Sequence, residues 1–197
     1  MKQVHSFLKF LFLFSNFFQK NCVYIRVYEV TRYMKCIINI GNKKEAIRDL
    51  EQFKNKHYDS LDIEFTNVHL LRLNDLVGFK LFRKNNLFVH SSTLWDAMQP
   101  VGSIHKHHSH GLKPETIFDV LSTLKSATLI YKSYSNRFAV VVCGIIEWID
   151  IMVIIELNSG LINDRYAKIN KLVTIYPKDN IVKLINQIDE KDILYKK

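Results

Sequence analysis

Three strongly apolar, β-branched segments in the second half of the chain constrain its fold most. They cover residues 138–143, 149–157 and 172–176. Branched and aromatic side chains are enriched in strands because they pack well on a pleated, partly buried surface. Asn158-Ser159-Gly160 interrupts the apolar pattern after the second segment, as turn-forming residues do. We therefore expect neighbouring antiparallel strands near the centre of a sheet.

Helices are predicted on either side of these strands. Pro114 favours a first helical turn, and the apolar residues of 117–124 recur at i, i+3, i+4 and i+7. Asp179 is the predicted N-cap of a second helix, whose apolar side chains within residues 181–188 follow helical spacing. Residues 193–195 predict a short closing strand.

The first half predicts a smaller α/β unit. Residues 36–40 and 61–65 have the pattern of strands, and residues 43–57 that of an amphipathic helix. Residues 91–98 predict a short helix that ends before Pro100. The fold class expected for the whole chain is α+β. An antiparallel sheet of about four strands is packed with helices and preceded by a small βαβ-like N-terminal unit.

Domain boundaries follow from these changes in pattern. Residues 1–33 form an apolar extension, residues 34–87 the N-terminal α/β unit, and residues 88–197 the second domain. The Phe-rich part of the extension is well short of the roughly 20 apolar residues that span a bilayer. A spurious start before Met34 is our preferred interpretation; the alternatives are an amphipathic segment and a signal peptide.

Charge and cysteine content limit the classes of binding partner and of metal site that we expect. Lys and Arg number 28 and Asp and Glu 19, a net charge of +9 that favours polyanions such as nucleic acid. No long basic run is present, which argues against an extended DNA-binding tail. The three cysteines are widely spaced, so neither a disulfide framework nor a CxxC metal site is expected, and a reducing compartment is favoured.

The chemistry-bearing residues concentrate in two places. The segment His105-Lys106-His107-His108-Ser109-His110 precedes the Pro114 helix, and Thr174-Ile175-Tyr176-Pro177-Lys178 ends the last apolar strand. Histidine can accept or donate a proton near neutral pH. Hydroxyls and a cation could bind a phosphate. Walker A, GxGxxG, GxSxG and kinase motifs are absent from the sequence.

The stretch of about residues 88–197, which contains both of these segments, resembles the phage and mobile-element nuclease domains of the barnase–EndoU–colicin–RelE-like (BECR) fold. The shared features are Phe88-Val89-His90-Ser91-Ser92, His110-Gly111-Leu112, the apolar hairpin, the segment 174–178 and Leu194-Tyr195. The chain departs from that pattern at Ser109, where related domains often have Lys. A second departure is the hairpin between Cys143 and Ile151, which lacks a polar turn.

The resemblance implies a metal-independent endoribonuclease, carried as a toxin or effector by a phage or mobile element. His110 matches the family position for one proton-transfer role, and His108 or His107 would supply the other. Thr174 and Tyr176 are on one strand face and Lys178 follows them, so these residues are predicted to bind the phosphate. The predicted substrate-binding residues are His107, Lys132, Ser133 and His90.

Other interpretations remain open. Each histidine of the cluster could be solvated surface, and Thr174 and Tyr176 could be strand formers alone. Two or three of the cluster histidines could bind zinc, although no nearby Cys or Asp completes a site. A non-catalytic nucleic-acid-binding or phage-associated module is the alternative function. RNA and an immunity or antitoxin protein are the expected partners, without cofactor or stable membrane span, in the cytoplasm of the producing or target cell.

Overall fold

The computed structural model describes residues 36–58, 61–102, 109–146, 149–161 and 165–197. Five α-helices and eight β-strands occur in these ranges. The helices are α1 (Lys43–Asn55), α2 (Leu73–Val77), α3 (Ser91–Met98), α4 (Pro114–Thr123) and α5 (Ile181–Ile185). The strands are β1 (Cys36–Asn39), β2 (Asp62–Thr66), β3 (Leu87–His90), β4 (Leu129–Tyr134), β5 (Arg137–Ile146), β6 (Ile149–Ser159), β7 (Ile169–Lys178) and β8 (Ile193–Lys196).

All eight strands form one mixed sheet in the order β1-β2-β3-β7-β6-β5-β4-β8. The β1–β2 and β3–β7 pairs are parallel, and the other pairs are antiparallel. The predicted fold class, with an antiparallel sheet of about four strands, is therefore wrong. The physical reason is β3, a strand of four residues that hydrogen-bonds to β2 on one side and to β7 on the other. The sheet is continuous through it.

Helix α1 connects the parallel strands β1 and β2 as a crossover. It begins after Asn42, whose side chain accepts a hydrogen bond from the Glu45 backbone N–H, and its last turn carries Lys54. The Asn42 cap satisfies a backbone donor at the start, and Lys54 suits the helix dipole, which favours a positive charge at the C-terminal end. Leu50 and Phe53 are buried, so one face of α1 packs on the sheet.

The main hydrophobic core lies between the sheet and helices α1, α3 and α4. Strand side chains contribute Ile63, Val89 and Val153, all without solvent exposure, and α4 contributes Ile117 and Leu121. Because these side chains alternate along each strand, the core occupies one face of the sheet, which we call the helix face.

A smaller cluster lies on the other face of the sheet, which we call the second face. Leu129, Tyr131, Ala139, Val141 and Met152 are buried there. Apolar residues of the C-terminal segment pack against them: Ile181, Leu184, Ile185, Ile188 and Ile193.

The start of α5 differs from the prediction. Its N-cap is Asn180 rather than Asp179, and the Asn180 side chain accepts a hydrogen bond from the Lys183 backbone N–H at 2.9 Å. Asn180 has a φ of 55°, a left-handed conformation that asparagine tolerates better than most residues. The chain therefore turns sharply after β7, and α5 folds back over the second face.

None of the helices in the described ranges is long and apolar enough to cross a membrane.

Candidate functional site

The structure brings together two of the predicted site residues, His110 and Tyr176. Their ring centroids are 5.5 Å apart and the ring planes are tilted by 33°. Both side chains are partly exposed, so the pair is accessible from solvent. His110 comes from the segment between α3 and α4, and Tyr176 from the second half of β7. Residues 66 positions apart in the sequence therefore meet beside β7, an interior strand of the sheet.

Backbone hydrogen bonds just after His110 fix its position. The Gly111 N–H donates to the Gln99 carbonyl at 2.7 Å, and the Leu112 N–H donates to the Ala97 carbonyl at 3.0 Å. Gly111 has a φ of 65°, which glycine adopts without the strain that a Cβ would add. Leu112 is 3% exposed and belongs to the main core. His110 is thus anchored to the end of α3 rather than carried on an unattached loop.

Strand β3 stops pairing with β7 before the level of Tyr176, so the His110–Tyr176 pair lies just past the end of β3. In the described residues, β3 pairs with β7 from Leu87↔Asn170 to Val89↔Leu172, and the chain then turns into α3. The part of β7 after Leu172 lies beyond this ladder, at the level where the segment 109–112 passes beside α3. This change from strand to helix makes room for the imidazole next to β7.

Thr174, Tyr176 and Lys178 lie on the same face of β7. They pair with Ile154, Met152 and Asp150 of β6, respectively. The prediction that these side chains share a face rests on the two-residue period of a strand, and the register agrees with it. Lys178 lies opposite Asp150, so a carboxylate shares the surroundings of its ammonium group.

Tyr131 of β4 and Tyr176 belong to the same cluster on the second face of the sheet. Burial, together with the neighbouring Tyr176, raises the pKa of Tyr131 to about 12. Burial also raises the pKa of Tyr176 above its ordinary value of 10.0. The Tyr131 hydroxyl donates to Met152 Sδ at 3.2 Å. Both phenols therefore stay protonated at neutral pH, and Tyr176 can act as a hydrogen-bond donor but not as a proton acceptor.

His90 serves a local structural purpose. It is the N-cap of α3: its Nδ1 accepts a hydrogen bond from the Ser92 backbone N–H at 3.2 Å and lies 2.5 Å from Ser92 Oγ. Burial lowers its pKa below the usual 6.5; nearby Asp62 opposes this shift, while Lys171 and His57 act in the same direction as burial. A neutral imidazole is the form that can accept this bond.

Lys132 and Ser133 are distant from the pair. They belong to β4, which is separated from β7 by β5 and β6 in the sheet. With strands about 4.8 Å apart, three steps across the sheet amount to roughly 14 Å. Ser133 donates to the Arg137 carbonyl in the β4–β5 turn. The structure does not bring these two predicted substrate-binding residues to His110 and Tyr176.

The remaining histidines of the cluster, His105, His107 and His108, lie outside the described residues. In the described ranges, no group of three or more His, Cys, Asp or Glu side chains is arranged to bind a metal ion.

The apolar strand that contains Cys143 predicts a small core residue at this position, and the structure differs from that prediction. Its side chain is exposed, and its Sγ lies 3.0 Å from Thr128 Oγ1. Burial and a hydrogen bond with Asp150 raise its thiol pKa, which makes it a weak nucleophile at neutral pH.

Tyr131 is the site residue that sequence reasoning missed. Its alternation with Leu129 predicts that both side chains share a face, but nothing local shows that this face also carries Tyr176. That relation depends on the order β7-β6-β5-β4, which is a property of the sheet.

Comparisons with protein-family models, with curated proteins and with solved structures found no match to this chain.

Proposed function

We propose that this protein cleaves RNA without a metal ion, with His110 and Tyr176 at the centre of its site. The observation that supports the proposal most is the proximity of the His110 and Tyr176 rings, whose centroids are 5.5 Å apart. The imidazole is anchored and partly exposed, and the phenol is protonated. The resemblance of residues 88–197 to BECR nuclease domains and the net charge of +9 agree with it.

In this reaction the RNA 2′-oxygen attacks the adjacent phosphorus, and the bond from phosphorus to the 5′-oxygen breaks. A base removes the 2′-hydroxyl proton and an acid protonates the leaving 5′-oxygen, so the products are a 2′,3′-cyclic phosphate and a 5′-hydroxyl. His110 takes one of these proton-transfer roles. His108 or His107 takes the other.

The remaining residues would bind the phosphate. Tyr176 donates a hydrogen bond to a non-bridging oxygen, which becomes more negative in the transition state. Thr174 can add a second donor, and Lys178 a positive charge, since both lie on the same face as Tyr176. The Tyr131 hydroxyl donates to Met152 Sδ, so Tyr131 would support Tyr176 by packing in the same cluster rather than bind the phosphate itself.

The test is cleavage of RNA in excess chelator by the full chain and by His110→Ala. We expect the wild type to release 2′,3′-cyclic phosphate ends, and the variant to lose about 100-fold or more in rate, the usual contribution of one acid–base group. His69→Asn is the matched control. His69 is exposed and has a φ of 59°, a conformation that asparagine accepts.

Each other outcome has its own interpretation. Cleavage that requires an added divalent ion would contradict metal-independent chemistry. Binding of RNA without turnover by the wild type would favour the alternative, a non-catalytic nucleic-acid-binding or phage-associated module. Equal cleavage by wild type and His110→Ala would remove His110 from the reaction.

A nuclease of this kind would act on RNA in the cytoplasm of the producing or the target cell, and a producing cell would need an immunity or antitoxin protein. Expression of the wild type in a bacterial host should arrest growth, and expression of His110→Ala should not. Equal growth of the two strains at equal protein level would contradict the proposed toxicity.

A further inference from the structure

Two basic segments, free of Asp and Glu, meet at the end of the sheet where β3 and β7 begin. Residues 78–86 precede and lead into β3, and residues 165–171 lead into β7. Each carries three cations, and none of the six forms an ion pair within the described residues. We call them together the basic patch: Lys80, Arg83, Lys84, Arg165, Lys168 and Lys171.

A buried asparagine connects the two segments. The Asn170 side chain is 6% exposed, and its Nδ2 donates to the Lys84 carbonyl at 2.8 Å and to the Asn86 carbonyl at 3.3 Å. These bonds join positions more than 80 residues apart in the sequence. The cations of the patch are therefore held in one place by the fold.

A second asparagine orders the first segment. Asn74 of α2 accepts hydrogen bonds from the Leu81 and Phe82 N–H groups at 2.9 and 2.8 Å, and its Nδ2 donates to the Phe82 carbonyl at 2.9 Å. A surface whose backbone is already fixed loses less conformational entropy when it binds a ligand.

Two carboxylates near the patch, among the residues that the structure describes, are already engaged. Glu64 accepts a hydrogen bond from Asn86 and is 5% exposed. Glu156 lies between Lys171 and Arg137 in the sheet register, and Arg137 Nε binds it at 2.7 Å. The described residues of the patch therefore present a positive potential to solvent.

Exposed aromatic rings accompany the cations. Phe79 is 51% exposed and Tyr166 is 95% exposed. Positive charge together with accessible aromatic faces is the combination that binds single-stranded nucleic acid, because cations follow the phosphates and rings stack on bases.

We propose that the basic patch is a binding site for single-stranded RNA, separate from the His110–Tyr176 pair. Lys171 and Tyr176 are on one strand, and five residues at about 3.3 Å each place them roughly 16 Å apart. An RNA strand that runs along β7 would contact both. The proposal deepens the proposed function by assigning where the substrate is held, but it is tested by binding alone.

The experiment measures fluorescence anisotropy of a labelled 2′-O-methyl oligoribonucleotide, which lacks the attacking hydroxyl and survives even if the protein is an active nuclease. Affinity is followed against salt concentration. Six phosphate contacts predict a slope of about −4 for the logarithm of the association constant against the logarithm of salt. Tyr166→Ala should weaken binding about 5-fold or more.

Charge variants test each segment separately. Arg83→Gln/Lys84→Gln and Arg165→Gln/Lys168→Gln should each make the slope shallower by about 1.4, since each removes two contacts. Lys44→Gln/Lys54→Gln is the matched control: it changes the net charge equally, both lysines are exposed on α1, and it should leave the slope unchanged. Equal effects of the control and the patch variants would overturn the proposal.

Anionic phosphatidylserine vesicles provide the second probe. We expect them to compete poorly with the oligonucleotide. If the patch variants lose vesicle binding while oligonucleotide binding stays intact, the patch is a membrane site and the RNA proposal fails. If the wild type binds RNA through the patch but cleaves none, this proposal is upheld and the proposed function is contradicted. If the wild type cleaves RNA but its binding does not depend on the patch, the proposed function is upheld and this proposal is contradicted.

Discussion

The neutral imidazole of His90 holds the start of α3 through the hydrogen bond that it accepts from the Ser92 N–H. Burial lowers its pKa below 6.5, so below that pH the unfolded chain takes up a proton more readily than the folded one. The stability that this cap contributes is therefore fully present above pH 6.5 and is lost as the pH falls through 6.5 towards the lower folded pKa.

Substitution of His90 should reveal this dependence. His90→Ala should cost about 1 kcal/mol of the free energy of unfolding at pH 8, the usual cost of losing an N-cap. His90→Asn keeps a capping oxygen that does not titrate. As the pH is lowered from about 7 to 5, the free energy of unfolding of this variant should therefore fall less than that of the wild type. Urea unfolding at each pH measures both. Parallel pH profiles for wild type and His90→Asn would contradict the assignment.

The hydroxyl of Tyr176 can be separated from its ring. Tyr176→Phe keeps the contact with the His110 ring but removes the donor, so cleavage should slow about 100-fold, with less than about 1 kcal/mol change in the free energy of unfolding. The pKa of Tyr176 is raised above 10.0, so the phenol stays protonated and the pH profile should keep its shape. Single-turnover cleavage in chelator measures the rate. Tyr134→Phe, at a residue 72% exposed, is the control.

At the scale of elements, Asn74 ties α2 to the segment before β3. Its side chain makes three hydrogen bonds with the backbone at Leu81 and Phe82. Asn74→Ala leaves these partly buried groups without their partner and should cost about 1–3 kcal/mol of the free energy of unfolding. Asn85→Ala, which removes the single bond from the Leu71 N–H, should cost less. Urea unfolding compares them, and equal losses would contradict this ranking.

Most helices and strands could be predicted from the sequence because their signals are local. The apolar alternation of β5 and β6 and the helical spacing of α4 need only neighbouring residues. The prediction failed where the signal lies outside the element. Cys143 is in an apolar strand, yet its side chain is exposed, and the residues that would cover it are not its neighbours in the sequence.

At the scale of the whole molecule, the sheet order could not be predicted from local patterns. Leu87 pairs with Asn170, 83 residues later, and a strand as short as β3 carries little periodicity. The candidate site shows the same limit. The two-residue period gave the shared face of Thr174 and Tyr176, but the approach of His110 depends on where β3 ends and on the bonds between residues 97–99 and 111–112.

One prediction tests whether this sheet unfolds as a unit. Val89 is fully buried and pairs with Ile63 of β2 on one side and Leu172 of β7 on the other. Val89→Ala should cost about 2 kcal/mol. Because β3 joins the two parts, native-state hydrogen exchange should show that loss equally in the amides of β2 and of β6. Val153→Ala, in β6, is the matched control and should act on both parts in the same way. If Val89→Ala lowered protection in β2 while β6 stayed protected, residues 36–90 would unfold separately, and β3 would be a contact between two units rather than the strand that makes them one.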